Sequence, residues 1–394
     1  MEQLPGKDNI SELEKLSSAG DLLATYQLGR CFASGWGVEK DFSKSYRHLL
    51  RCAQGGYYRA SYELASLFFD ESIPEARPSE VVNYLRIAAN NGHADSQALL
   101  GWCYLEGRVV AKNEKLGFDW LRRSAEDGSS IGAYNLALCF QRGVGTRKEL
   151  RSAVSWFRHS AQQGNVKAQL QLGIALTQGK GVARNVEEAA LCYRNAAERG
   201  YAKAQYNLAL LIAGGGIENH EETHAFYWME KAASSGLLKA QYVLSIFYRR
   251  AIGVDGSIEE ADVWLRCAAD KGYKKAQFDL GRRLLRERSN CPEGLEYLQK
   301  AAHQGHAAAQ FSLGRLALLE NDEKRDREAF EWFQRSAESG HVDAVYNLAV
   351  CHLKGRGTRS DSSAALDQFL IAADKGSERA KKAIKKIERK LSSK

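Results

Sequence analysis

The sequence predicts an all-α solenoid of about ten helix-turn-helix repeats, with a capping helix at each end. Three observations predict it. A glycine recurs at Gly20, Gly56, Gly92, Gly128, Gly164, Gly200, Gly236, Gly272, Gly305, Gly340 and Gly376, in steps of 36 residues seven times and then of 33, 35 and 36. The eighth residue after each of the first ten is leucine: Leu28, Leu64, Leu100, Leu136, Leu172, Leu208, Leu244, Leu280, Leu313 and Leu348. The prolines (Pro5, Pro74, Pro78 and Pro292) all fall outside the helical patterns, where a missing backbone donor does least harm.

The elements follow in order. Residues 1–9 read as a frayed tail, and ISELEKLSSA then places Ile10, Leu13 and Leu16 on one side of a helix. This helix has the phase of a repeat's second helix without its first, so 1–19 form a tail and cap. The repeats occupy 20–375, and 376–394 form a basic C-terminal cap. In each repeat the first helix carries alanine, an aromatic, leucine and a small residue, as in Ala204-Gln-Tyr-Asn-Leu-Ala209. The small residue lets a neighbouring backbone approach, which offsets the cost of glycine within a helix, about 1 kcal/mol. A glycine turn follows, such as Gly143-Val-Gly-Thr or Gly179-Lys-Gly-Val; without a GK[ST] sequence or a preceding strand it is a helix reversal, not a phosphate loop. The second helix sets an aromatic before paired small residues, as in Trp264-Leu-Arg-Cys-Ala-Ala269. Trp120, Trp156, Trp228, Trp264 and Trp332 share one phase, as packing residues do. Three connections depart from the pattern: 71–78, 286–292 and 320–327.

Bulk properties narrow the function. The net charge is +8, but eight basic residues against Glu378 and Glu388 in 378–394 supply +6 of it. A nucleic-acid binder spreads such charge over its folded surface, so no nucleic-acid partner is expected. The tail reads first as a solvated last helix, and alternatively as a binder of anionic surfaces. No run of eighteen apolar residues occurs, and the start lacks a basic segment followed by an apolar one. The expectation is a cytoplasmic chain without a membrane span or cleaved signal. Cys31, Cys103, Cys139 and Cys351 share one phase of the repeat, which Ala175, Leu211 and Phe247 fill elsewhere. Cysteine there acts as a small apolar residue, and the absence of any CxxC pair speaks against structural zinc.

The recurring A-x-aromatic-x-L-G, GxGV and A-x-x-W/Y-x-x-x-A-A-x-x-G patterns, from Gly20 to Gly376, resemble the Sel1-like repeat family, relatives of the tetratricopeptide repeats. The resemblance implies a right-handed α/α superhelix acting as an adaptor or scaffold for protein complexes, without catalysis or a cofactor. Secreted members of the family with weak β-lactam binding carry a disulfide in each repeat, joining cysteines at a spacing that this chain lacks.

One stretch carries an enzymatic pattern. His220-Glu-Glu-Thr-His224 matches HExxH, in which two histidines would face one zinc with Glu221 as base. It falls where other repeats start a second helix with Val186-Glu-Glu or Ile258-Glu-Glu. Acidic residues suit that end electrostatically, and no third ligand is near in sequence. A zinc-dependent or β-lactamase-like hydrolase is therefore the lesser reading. His303 and His306 flank the turn at Gly305 and read as solvated turn residues.

The better candidate is one face of the first helices. Residues three, seven, ten and fourteen after each glycine share a side, opposite the core leucine. In related tetratricopeptide domains Asn and Lys at matching phases clamp a terminal carboxylate. The resemblance thus implies a ladder across repeats four to seven: Asn135 with Lys167, Gln171 with Lys203, and Asn207 with Lys239. Its expected partner is a protein or peptide, acidic or with a free carboxylate. Tyr134, Tyr206 and Tyr242, at position six, border the same groove or pack between repeats.

Overall fold

The computed structural model describes residues 9–69, 77–216, 222–288, 291–320 and 322–391. All regular elements among them are α-helices. The chain divides into two compact units, Met1–Ala204 and Gln205–Lys394. In the first lie α1 (Ile10–Ser18), α2 (Leu22–Ser34), α3 (Phe42–Gln54), α4 (Tyr58–Phe69), α5 (Pro78–Asn90), α6 (Ala94–Glu106), α7 (Glu114–Glu126), α8 (Ser130–Arg142), α9 (Leu150–Gln162), α10 (Val166–Gln178) and α11 (Val186–Glu198). The division falls within α12 (Ala202–Ala213). The second holds α13 (Glu222–Ser234), α14 (Leu238–Arg250), α15 (Ile258–Asp270), α16 (Lys274–Glu287), α17 (Pro292–His303), α18 (Ala307–Leu318), α19 (Glu323–Glu338), α20 (Val342–Lys354), α21 (Ser362–Asp374) and α22 (Glu378–Leu391).

Within each unit, first and second helices alternate and pack on their neighbours in sequence. All ten leucines at position eight are buried, between 0% and 6% exposed. The neighbour that needs the small residue at position nine is the second helix of the same repeat. A Cβ on Gly29 would lie 2.9 Å from Leu49, on Gly173 2.5 Å from the Tyr193 ring, and on Gly314 2.7 Å from the Phe333 ring. Even where the connection 71–78 interrupts the pattern, Leu64 of α4 and Leu85 of α5 share one core.

Polar residues tie the pairs together at buried backbone groups, which must find partners. The position-five glutamines reach back to the preceding second helix. Gln97, Gln169, Gln241, Gln277 and Gln310 donate to the carbonyls of Ala89, Ala161, Ala233, Ala269 and Ala302 at 3.0–3.3 Å. Within a repeat, the Ser124, Ser160 and Ser336 hydroxyls donate to the carbonyls of Ala94, Ser130 and Ala307 at 2.6–2.8 Å.

The glycine turns serve two conformational ends. The first glycine, as at Gly179 with φ 67°, closes the first helix in the left-handed region. The second lies against the preceding repeat: a Cβ on Gly181 would come 2.4 Å from the carbonyl oxygen of Leu150, at the start of α9. At the N-terminal cap the expected face is only partly used. Leu13 is buried with Ala24, Leu28 and Phe32, but Leu16 is 44% exposed. Its place is taken by Ser17, whose hydroxyl bonds to that of Thr25 at 2.9 Å.

Candidate functional site

The ladder residues belong to helices held rigidly by the core leucines. In the first unit Lys167 and Lys203 are exposed, while Asn135 and Gln171 are half-buried. In the second unit Asn207 is half-buried and Lys239 is exposed, its ammonium 4.8 Å from the centre of the Tyr206 ring. The amides thus sit at the edge of the packed surface and the charges stand out from it, an arrangement suited to orienting and attracting an anionic group.

The three tyrosines divide. Tyr206 is buried. Tyr134 is half-buried and its ring packs 5.9 Å from that of Phe157. Tyr242 lies 5.5 Å from the Tyr273 ring and donates to Asp279 at 2.7 Å. Burial, reinforced by that carboxylate, holds its phenol well above its ordinary pKa. Position six therefore packs on its own repeat's second helix, as Tyr134 does, or on the start of the next repeat's first helix, as Tyr26 does on Tyr57 and Phe311 on His341.

A cavity of about 310 Å³ in the first unit, lined by Gln171, was not visible in the sequence. Gln141 of α8, Leu150 and Phe157 of α9, and Ile174 and Gln178 of α10 also line it. Lys148 and Lys180 border it from the glycine turns, so amide and lysine side chains surround an apolar floor. The turn lysines escaped the sequence reading because its helical phase argument covers helices alone.

The other sequence signals fall into structural roles. His220 and Glu221 of the HExxH stretch lie outside the described residues; His224 is exposed on α13. Among the described residues, no group of three His, Cys, Asp or Glu side chains could hold a metal ion. The phase-sharing thiols are free and buried. Burial pushes Cys139 and Cys351 up to about 11 and Cys103 up to about 12, which keeps them protonated and poor nucleophiles. On α22 the apolar stripe of Ala380, Ala383, Ile384 and Ile387 packs on Val345 and Phe369, leaving Lys381, Lys382, Lys385 and Lys386 exposed. That stripe is already occupied within the fold, whereas an interfacial helix needs its own to enter lipid. No described helix is long and apolar enough to cross a membrane.

The comparisons with known proteins agree with this architecture. A family model described as Sel1 repeat matches residues 22–57, 94–129, 130–165, 166–201, 202–237, 238–273, 274–306, 307–341 and 342–377. Among curated proteins, the chain is 36% identical over 93 residues to an uncharacterized protein of Neisseria meningitidis serogroup B, covering 24% of this chain and 19% of that one. It is 34% identical over 94 residues to a sel1-like repeat-containing protein of Acanthamoeba polyphaga mimivirus, covering 24% and 16%. The matches thus span less than a fifth of either relative's length. Among solved structures, a protective antigen of uropathogenic Escherichia coli strains displaying an SLR fold is similar at 27% identity and TM-score 0.65, over 96% of this chain and 82% of that one. A Sel1 repeat protein from Oxalobacter formigenes is similar at 28% identity and TM-score 0.63, over 78% and 90%. With the repeat model matching most of its length, and with the helix pairs built as the recurring leucines and glycines require, the chain belongs to the Sel1 repeat family.

Proposed function

We propose that this chain is a non-catalytic scaffold whose first-helix faces hold an acidic or carboxylate-bearing peptide segment of a partner protein. Proteins of the Sel1 repeat family generally serve as protein-interaction scaffolds, and stacked helix pairs offer extended surface rather than an enclosed reaction chamber. The observation that carries the acidic specificity is the recurrence of an exposed lysine at position three, at Lys167, Lys203 and Lys239, with a half-buried amide at position seven, at Asn135, Gln171 and Asn207. Lysine provides a flexible point charge and the amide a directed donor, the pair of functions that a carboxylate requires. The cavity lined by Gln171, Lys148 and Lys180 adds positive charge in the first unit.

The test is an array of acidic peptides ending in a free carboxylate, with binding measured by fluorescence anisotropy. Reversing Lys167, Lys203 and Lys239 together to glutamate should weaken the best binders by about tenfold or more while circular dichroism stays unchanged. Equal affinity for the parent chain and the triple variant would dispose of the lysine ladder.

A further inference from the structure

A second slot lies wholly within the second unit, between α16, α17 and α18. Its floor is apolar, from Leu285, Leu298, Leu316 and Leu319, and its rim carries Arg282, Arg286 and Arg315. It encloses about 320 Å³. A cavity of about 730 Å³ shares Leu285, Leu316 and Leu319 with it and continues over Pro292 and Leu295. Leu319 is 80% exposed and Leu295 37% exposed. Contiguous apolar surface of this kind, rimmed by charge, marks a contact site rather than a stray exposed side chain.

The slot has a definite structural origin. In a regular repeat the turn reaches back to the preceding second helix, as Gly181 does to Leu150 and Gly357 to Asp326. In the sequence four residues separate α18 from α19, against seven between α10 and α11. That connection lacks both glycines, and among the described residues no turn glycine meets the start of α17 as Gly181 meets the start of α9.

The rim is positive after its internal pairings are counted. Arg282 meets Asp279 only at 3.9 Å, with its side chain 58% exposed. Glu320, on the far edge, is paired with Arg325 at 2.8 Å. Among the described residues no carboxylate lies within ion-pair distance of Arg286 or Arg315. The Arg282 and Arg315 guanidiniums lie 5.4 Å and 5.9 Å from the rings of Phe278 and Phe311, each four residues earlier on the same helix. Such stacking holds the planar groups in place at small entropic cost for binding carboxylates.

We propose that this slot docks an acidic segment of a partner protein. One large apolar side chain seats between Leu316 and Leu319, and flanking carboxylates meet Arg282, Arg286 and Arg315. A lone carboxylate would leave the leucine floor wet, and a purely apolar segment would strip water from three guanidiniums without recompense. Three cations spread over two helices match several carboxylates along a peptide better than the single headgroup of a fatty acid. The class of partner rests on the scaffold reading above; the location of the slot does not.

Panning a phage-displayed peptide library on the full chain, followed by anisotropy on the selected peptides, tests this. The expected peptides carry a bulky apolar residue between Asp or Glu residues. Their affinity should fall about tenfold or more in the Arg286→Glu/Arg315→Glu variant and in Leu319→Asp, whatever the Lys167/Lys203/Lys239 triple variant does. Leu319→Asp alters an exposed side chain, so it remains informative if the arginine variant folds poorly. Weakening by the lysine triple variant alone overturns the slot and leaves the lysine ladder standing; indifference to every variant overturns both. Selected peptides without acidic residues also overturn the slot. So does binding of dodecanoate that is lost in Leu319→Asp when no selected peptide shows that loss.

Discussion

The slot beside α10 and the slot beside α18 occupy the same phase of the repeat, yet they present opposite surfaces. At position seven the first has Gln171 and the second Ser312; at position ten, Ile174 and Arg315; at position fourteen, Gln178 and Leu319. The first is bordered by full glycine turns that contribute Lys148 and Lys180 to its lining. The second has a shortened turn, and its charge comes from arginines on the helices themselves. The helix pairs are alike in both. The two recognition surfaces therefore differ both in the side chains of one helical face and in the length of the connection that follows it.

Four changes break or sharpen that comparison. The largest effect is expected for Gly181→Ala, where φ is +75° and a Cβ would meet the Leu150 carbonyl. The turn should lift from α9 at a cost of about 3 kcal/mol, read as a fall in the urea midpoint. A tolerated alanine would mean that the turn is not what closes the first slot. Ala251→Gly should act the other way. Ala251 closes α14 at φ 55°, where other turns use glycine, and relief of that backbone strain, less the extra freedom of glycine when unfolded, should stabilise by about 0.5–1 kcal/mol. Calorimetry showing no gain would place the strain elsewhere.

A smaller effect separates the slots by pH. The helix that floors the first is capped by Asn165 and that of the second by His306, whose Nδ1 accepts from the Ala309 amide at 3.3 Å. Burial, then nearby Lys274, lowers the His306 pKa from its usual 6.5. The folded state thus favours the neutral ring. Its contribution is present above the unfolded value and is lost as pH falls through the lower folded one, because the unfolded chain there binds more protons. His306→Asn should flatten the stability-pH curve below about pH 6.5, and an unaltered curve would remove His306 from the account. The smallest effect is expected for Leu319→Gln, which copies Gln178 of the first slot. With the leucine 80% exposed, the urea midpoint should stay within about 0.5 kcal/mol of the parent. A larger loss would show that Leu319 belongs to the core.

Much of this was readable in advance. The ten leucines, the small residues behind them and the turn glycines repeat at fixed phase, and all fill the packing roles that the period implies. Glutamines recur at position five in six of the ten repeats. Their function escaped because the carbonyl each one meets belongs to the preceding repeat's helix. For the ladder, exposure of Lys167, Lys203 and Lys239 follows from helical phase, whereas burial of Tyr206 depends on how closely adjacent first helices approach. The arginine slot was not legible because Arg282, Arg286 and Arg315 read as ordinary surface charge until the packing of α16, α17 and α18 placed them around the same leucines.

The amino-acid sequence alone determined the helices, their pairing and the residues of the core, since each of these depends on spacing within a single repeat. Only the tertiary structure decided which helix faces stay open to a partner. That outcome depends on what one repeat's turn does to the helix before it, a contact between segments whose spacing carries no trace of whether it forms.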